Sequence, residues 1–417
     1  MKISAADIEI MSPVGSYESL MAAIQAGAGA VYFGVEQLNM RARSANNFTI
    51  DDLKKISIIC KKNNVHTYLT LNTIIYDHEL SLVKKIVNAA KKNNITAIIA
   101  SDMSVILYAR SVGVEVHMST QCNITNIEAV KYYAQYADVV VTARELTLKQ
   151  VAEIISEIKK EKIKGPSGNL LKIEVFAHGA LCMAVSGKCY LSLDNMNFSA
   201  NRGACLQLCR RGYIVTDREE GTQFEIDHEY IMSPKDLCTI GFLDKILKAG
   251  VRVLKIEGRG RSPEYVKTAT ACYREAVSAI ADGSYTKEKI QDWTKHLSSV
   301  YNRGLWEGYY LGRRTGEWTE KYGSRATKTK VYVGKVNNYF SKLKVAEIKV
   351  ETHEIKSGEE ILITGPTTGV IEMNVSEIRI KLEKTKAAVK GDVCSISVPG
   401  VVRKNDKIYK LIESQDS

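Results

Sequence analysis

The chain has 417 residues, 45% hydrophobic and 25% charged, an ordinary balance for a globular protein with a large core and room for two or three domains. It has no run of about 20 apolar residues, and Met1-Lys-Ile-Ser-Ala-Ala-Asp lacks the apolar stretch of a secretory signal, which excludes a membrane protein and favours the cytoplasm. The formal charge of +11 and a pI near 9.0 fit a polyanionic partner such as RNA, or simply lysine-rich helix faces such as Lys54, Lys55, Lys61 and Lys62.

In chain order, the first two-thirds repeat a short apolar run, a polar turn and a stretch of helical periodicity. Strand-like runs fall at 8–11, 30–33, 65–71, 97–100, 114–118, 138–142, 173–177 and 251–256, with amphipathic segments such as 17–26, 51–62 and 80–92 between them. Strands alternating with helices imply βαβ units and a parallel sheet. Eight strands predict an α/β fold, a (β/α)8 TIM-like barrel over residues 1–285. A doubly wound sheet is the rival, but no Gly-x-Gly-x-x-Gly follows the first strand. A helical and Gly/Arg/aromatic connector follows at 286–327, beginning with helical periodicity at 287–300 and ending in the run from Trp306 to Gly316. From 328 to 417 short alternating strands predict a small C-terminal antiparallel β-barrel, at 330–336, 345–350, 360–363, 377–382 and 393–398. Its sixteen Lys and Arg against twelve Asp and Glu make it only mildly basic, so it suits RNA binding or packing equally.

Between the seventh and eighth strands lies a long insertion, about 179–250, and five of the nine cysteines stand in it. Long loops in compact domains are usually functional, and loops after barrel strands open on the catalytic face. Four of the five, Cys182, Cys189, Cys205 and Cys209, are crowded by glycines. Clustered thiols in a reducing compartment favour a metal over disulfides. The spacing, Cys-x6-Cys then Cys-x3-Cys, is wide for a zinc knuckle and suits iron–sulfur ligation better, with zinc and buried inert thiols left open. Cys238 reads as the buried face of a helix capped by Ser233, a reserve ligand. Cys60, Cys272 and Cys394 read as core, and Cys122 lies near His117.

Polar residues at predicted strand ends point to a site on the same face: Ser12, His117, Arg144 with Glu145, Glu174, His178, and Glu257-Gly-Arg259. Each alone would pass as a satisfied structural group.

The run Glu174-Val-Phe-Ala-His-Gly-Ala-Leu-Cys182-Met-Ala-Val-Ser-Gly-Lys-Cys189-Tyr-Leu-Ser192 resembles the signature of the U32 (collagenase-like) peptidase family. Further matches are Ser12-Pro-Val-Gly-Ser16, the run from His117 to Asn126, Lys255-Ile-Glu-Gly-Arg259 and Ser262-Pro-Glu-Tyr265, so the resemblance runs nearly end to end. It implies an oxygen-independent hydroxylase with a 4Fe–4S cluster on Cys182, Cys189, Cys205 and Cys209 and prephenate as oxygen donor. Branches of that family act on the wobble uridine of tRNA, on a 23S rRNA cytidine and on ubiquinone precursors; length and C-terminal domain look most like the tRNA branch. A dicarboxylate donor calls for arginines, and Arg41, Arg43, Arg144 and Arg259 are the candidates. His117 and Glu174 are candidate proton carriers. Arg202, Arg210 and Arg211 flank the cysteines and could steer an RNA backbone. A partner subunit of the same family is a further expectation. The rival enzyme is a peptidase using a Cys–His pair, Cys182 with His178 or Cys122 with His117; no Gly-x-Ser-x-Gly or His-Glu-x-x-His occurs. A third reading is a non-catalytic zinc and RNA-binding factor.

Overall fold

The computed structural model of the chain describes residues 3–43, 46–211, 213–226, 233–312, 316–319 and 323–414. Eight parallel strands close into a barrel: β1 (Glu9–Pro13), β2 (Ala30–Phe33), β3 (His66–Leu71), β4 (Ala97–Ala100), β5 (Glu115–Met118), β6 (Val139–Val141), β7 (Lys172–Gly179) and β8 (Val253–Ile256). Closure is made by β8, which pairs with β7 on one side and β1 on the other. All eight predicted runs therefore form the barrel. They are β-branched and apolar because one face meets the barrel interior and the other meets a layer of helices.

Those helices are α1 (Tyr17–Gln25), α2 (Asp52–Lys62), α3 (Leu80–Lys92), α4 (Met103–Ser111), α5 (Ile127–Ala134) and α6 (Leu148–Lys160), then, beyond a short α7 (Leu191–Met196), α8 (Leu243–Ala249) and the long α9 (Pro263–Asp282). α6 shows why they form. Thr147 and Gln150 make a reciprocal capping box at its start, and Val151, Ile154, Ile155 and Ile158 bury one stripe against the barrel. Each such side chain contributes about 1.5–3 kcal/mol on burial.

One element differs from its sequence reading. Residues Asp236–Cys238 are a short strand, antiparallel to the end of β7 and parallel to Leu305–Trp306, and Cys238 is not on a helix. The Ser-Pro-x-Asp run carries a helix-start signal, but pairing with the end of β7 overrides it. Cys60, Cys272 and Cys394 are buried in the cores, as expected.

After α10 (Lys287–Ser299), residues 313–315 of the Gly/Arg/aromatic connector lie outside the described residues. An eight-stranded antiparallel sheet then follows, centred on Lys328–Phe340, which pairs with Val345–Val350 and Lys407–Glu413 around its own apolar core. It docks on α1 and α9. Leu362 and Val370 pack on Ala22, Gln25 bonds the Thr368 carbonyl and the Val370 amide, and Lys330 pairs with Glu264. No described helix is long and apolar enough to cross a membrane.

Candidate active site

The cysteine insertion is fastened over the carboxyl ends of the barrel strands. The chain leaves β7 at Gly179, at φ +105°, where a Cβ would stand 2.5 Å from the Glu257 carbonyl; only glycine fits there. Gly203 does the same job further on, its missing Cβ making way for the Asn39 carbonyl. Arg202 grips Glu79 bidentately at 2.5 and 2.6 Å and donates to the Ile74 carbonyl. Arg144 donates to Ser186 at 2.7 Å, and Asn123 reaches the Ser186 carbonyl. Loops after β2, β3, β5 and β6 thus each hold one point of the insertion. Arg202, expected to steer RNA, is a fastener of the insertion, because Glu79 neutralises it.

The four cysteines share one neighbourhood in this insertion. Burial pushes the Cys209 thiol up to about 11, Arg210 pulls it back, and the nearby Cys182, Cys205 and Cys189 push it further up. Among the described residues, however, no three His, Cys, Asp or Glu side chains stand in position to hold one metal ion. Four thiols in one neighbourhood are a donor set of the kind that zinc and iron–sulfur groups both take.

Beside the thiols, five arginines meet two carboxylates. Arg41 pairs with Glu257 at 3.0 Å and lies close enough to Cys205 to interact with it. Burial alone would raise Glu257, but Arg41, Arg261 and Arg303 hold it at about 2. Asp236 faces Arg303 at 3.4 Å and Arg261 at 3.5 Å, and burial still raises it above the usual aspartate range. Arg261 lies on the Tyr301 ring at 3.7 Å. Arg210 donates to the Leu181 carbonyl, leaving one buried nitrogen without a partner. Arg259 is buried, bonds Thr70 at 2.8 Å, and is pushed down to about 10, first by burial and then by Arg41. Arg41, Arg210, Arg259, Arg261 and Arg303 against Glu257 and Asp236 leave three positive charges in excess, which suits an anionic ligand.

Other predicted site residues lie elsewhere. His117 is not at the mouth. Its Nε2 bonds Glu115, the first residue of β5, and its ring packs on Tyr68, whose hydroxyl bonds Glu9, the first residue of β1. Residues 115 and 117 share the inward face because strand side chains alternate, so His117 points toward the amino end of the barrel. Glu174 is inside the barrel too, paired with Lys255 at 2.8 Å, and Lys255 also covers the Tyr32 ring. Ser12 bonds Thr270 on α9. His178 is buried between Tyr265 and Tyr273, and burial, with help from Arg261, drives it down to about 3. Glu145 and Arg211 are exposed, as is Arg43, whose guanidinium lies over Phe198 at 5.1 Å. Neither proposed Cys–His pair forms: Cys122 bonds Tyr133, and the Nδ1 atoms of His117 and His178 have no partner.

Sequence reasoning missed Asp236, Arg261 and Arg303. Arg261 sits between two runs that were noticed, Lys255–Arg259 and Ser262–Tyr265. Arg303 reaches the site only because Leu305–Trp306 pairs with the strand that holds Asp236.

Fold and site together define a barrel protein with a thiol-bearing, cation-rich mouth. The sequence profile of peptidase family U32 matches residues 15–320, and the chain belongs to that family. A protein of Porphyromonas gingivalis (strain W83) named collagenase is 57% identical over 410 residues, 98% of this chain and 99% of that one. The tRNA hydroxylation protein P1 of Bacillus subtilis is 32% identical over 366 residues, 86% of this chain and 83% of that one. The 23S rRNA 5-hydroxycytidine C2501 synthase of Escherichia coli is 34% identical over 324 residues, 76% of this chain and 47% of that one.

Proposed function

We propose that the chain is an O2-independent RNA hydroxylase that forms 5-hydroxyuridine at the wobble position of tRNA, with prephenate as oxygen donor. The observation that carries this is the gathering of Cys182, Cys189, Cys205 and Cys209 beside an uncompensated group of arginines. The four thiolates would hold a 4Fe–4S cluster, which when bound supplies one-electron transfer at the barrel mouth. Arg41, fixed by Glu257, and Arg144, fixed by Ser186, stand on opposite sides of the insertion and are placed to take the carboxylates of the donor. The basic chain and the relatives named for tRNA and rRNA hydroxylation support a nucleic-acid substrate. His117 and Glu174 act as structural groups of the barrel axis in this reading.

The relatives named collagenase favour a peptidase as the second reading. It needs an activated nucleophile, but Cys238, directly across the strand pair from His178, bonds Tyr273 and is pushed up to about 11 by burial, and His117 bonds Glu115. Anaerobic purification with iron and sulfide analysis decides between these readings. We expect about four irons per chain and a broad absorbance near ~400 nm, both lost in Cys205→Ala. Colourless protein carrying stoichiometric zinc would contradict the proposal.

A further inference from the structure

We propose that the cavity between the N-termini of α1 and α9 binds a backbone phosphate of the RNA substrate, an assignment that rests on the RNA-hydroxylase reading above. The cavity is about 560 Å3 and is lined by Gly15, Ser16 and Ser19 on one side and by Arg259, Arg261 and Arg43 on the other. Three arginines line it and no acidic residue does.

Arg259 carries the argument. It is 6% exposed, and its Nη1 donates to Thr70; the acid that acts on it, Glu257, is already paired with Arg41 at 3.0 Å. A buried cation that must share its counter-ion favours the arrival of a further anion. Two helix starts point at the same space. Ser16 caps α1 by accepting from the Ser19 amide at 3.2 Å, whereas Ser262 makes no side-chain cap on α9, leaving first-turn amides of a 20-residue helix open. At Gly15 a Cβ would stand 2.4 Å from the Arg259 carbonyl, so the cradle stays open only with glycine there.

The lining also selects the ligand. Apart from Pro263 it offers hydroxyls, an amide, backbone and guanidinium groups. A base would want an aromatic face to stack on, and the carbocyclic ring of the oxygen donor would want an apolar wall. A phosphodiester and its ribose need only donors. The cavity adjoins the thiols, because the Arg43 amide donates to the Gly203 carbonyl at 3.3 Å and its guanidinium lies on Phe198, both within the cysteine insertion. An RNA strand anchored here would pass across the barrel mouth.

The test titrates a labelled tRNA anticodon stem-loop into the full chain over a range of salt concentrations, and malonate as a simple dicarboxylate in parallel. Arg43→Gln, exposed and free to fold, should weaken RNA binding about tenfold and lower the slope of log K against log salt by about 1, with Tm and malonate affinity unchanged. Arg259→Gln should weaken RNA binding further. Wild-type affinity and slope in Arg43→Gln would overturn the inference. Loss of malonate binding with RNA binding intact would assign the cavity to the oxygen donor, overturning the inference and leaving the hydroxylase reading in place. A wild-type chain that binds no RNA would overturn both.

Discussion

Along the barrel axis and at its amino end, polar side chains come in pairs: Lys255 with Glu174, His66 with Glu9, His117 with Glu115. At the mouth, Arg41, Arg261 and Arg303 pair with Glu257 and Asp236, and Arg210 and Arg259 stand near them. Both regions bury ions of both signs inside one barrel. The axis is neutralised by its own residues, so its polar groups hold the barrel together. The mouth is left with positive charge that its two carboxylates do not balance. Buried polarity alone does not mark a site; the unpaired remainder does.

The sharpest way to break this comparison is to remove one cation from the axis and one from the loops that ring the mouth. Lys255→Met leaves Glu174 buried and unpaired, and should lower stability by about 3–5 kcal/mol, read as the urea midpoint; adding Glu174→Gln should recover most of that. Arg144→Gln should leave stability within about 1 kcal/mol while 5-hydroxyuridine formation falls at least about a hundredfold. Equal stability losses at the two positions would erase the distinction.

The next effect is pH dependence. His178 is held neutral, its folded pKa of about 3 lying below the ordinary 6.5. The unfolded chain therefore binds the extra proton first, so stability is lost as pH falls below about 6.5, by about 2 kcal/mol at pH 5. His178→Gln should flatten that acid limb in chemical denaturation at pH 7 and pH 5. A limb unchanged by the substitution would mean the ring is not shielded by Tyr265 and Tyr273 as described.

The smallest effect is at the fastener of the insertion. Arg202→Ala removes the bidentate grip on Glu79 and should cost about 1 kcal/mol. It should also speed amide exchange in the cysteine insertion while leaving that of the barrel strands alone. Exchange that rises throughout the barrel would place Arg202 in the global fold instead.

The barrel was readable because each strand is a short β-branched run bounded by turn residues, a purely local signal. The thiol set was readable from crowding along the chain. What failed depended on direction and on distant pairing. His117 and Glu174 stand near the ends of apolar runs, yet alternation within β5 and β7 turns both inward, away from the thiols. Cys238 carried a helix-start signal that pairing with β7 overrode. Arg303 and Asp236 meet across 67 residues through two short strands, and no local pattern announces such a meeting. The resemblance to U32 proteins supplied the cluster and the oxygen donor, which spacing alone did not.

The central claim is that the four thiols and the cation-rich mouth hydroxylate RNA. Nucleoside analysis of bulk tRNA from a deletion strain, complemented with the wild-type chain or with Cys205→Ala, tests it most directly. We expect 5-hydroxyuridine and its derivatives to disappear on deletion, to return with the wild-type chain and to stay absent with Cys205→Ala. Unchanged 5-hydroxyuridine in the deletion strain, or full restoration by Cys205→Ala, would contradict the account.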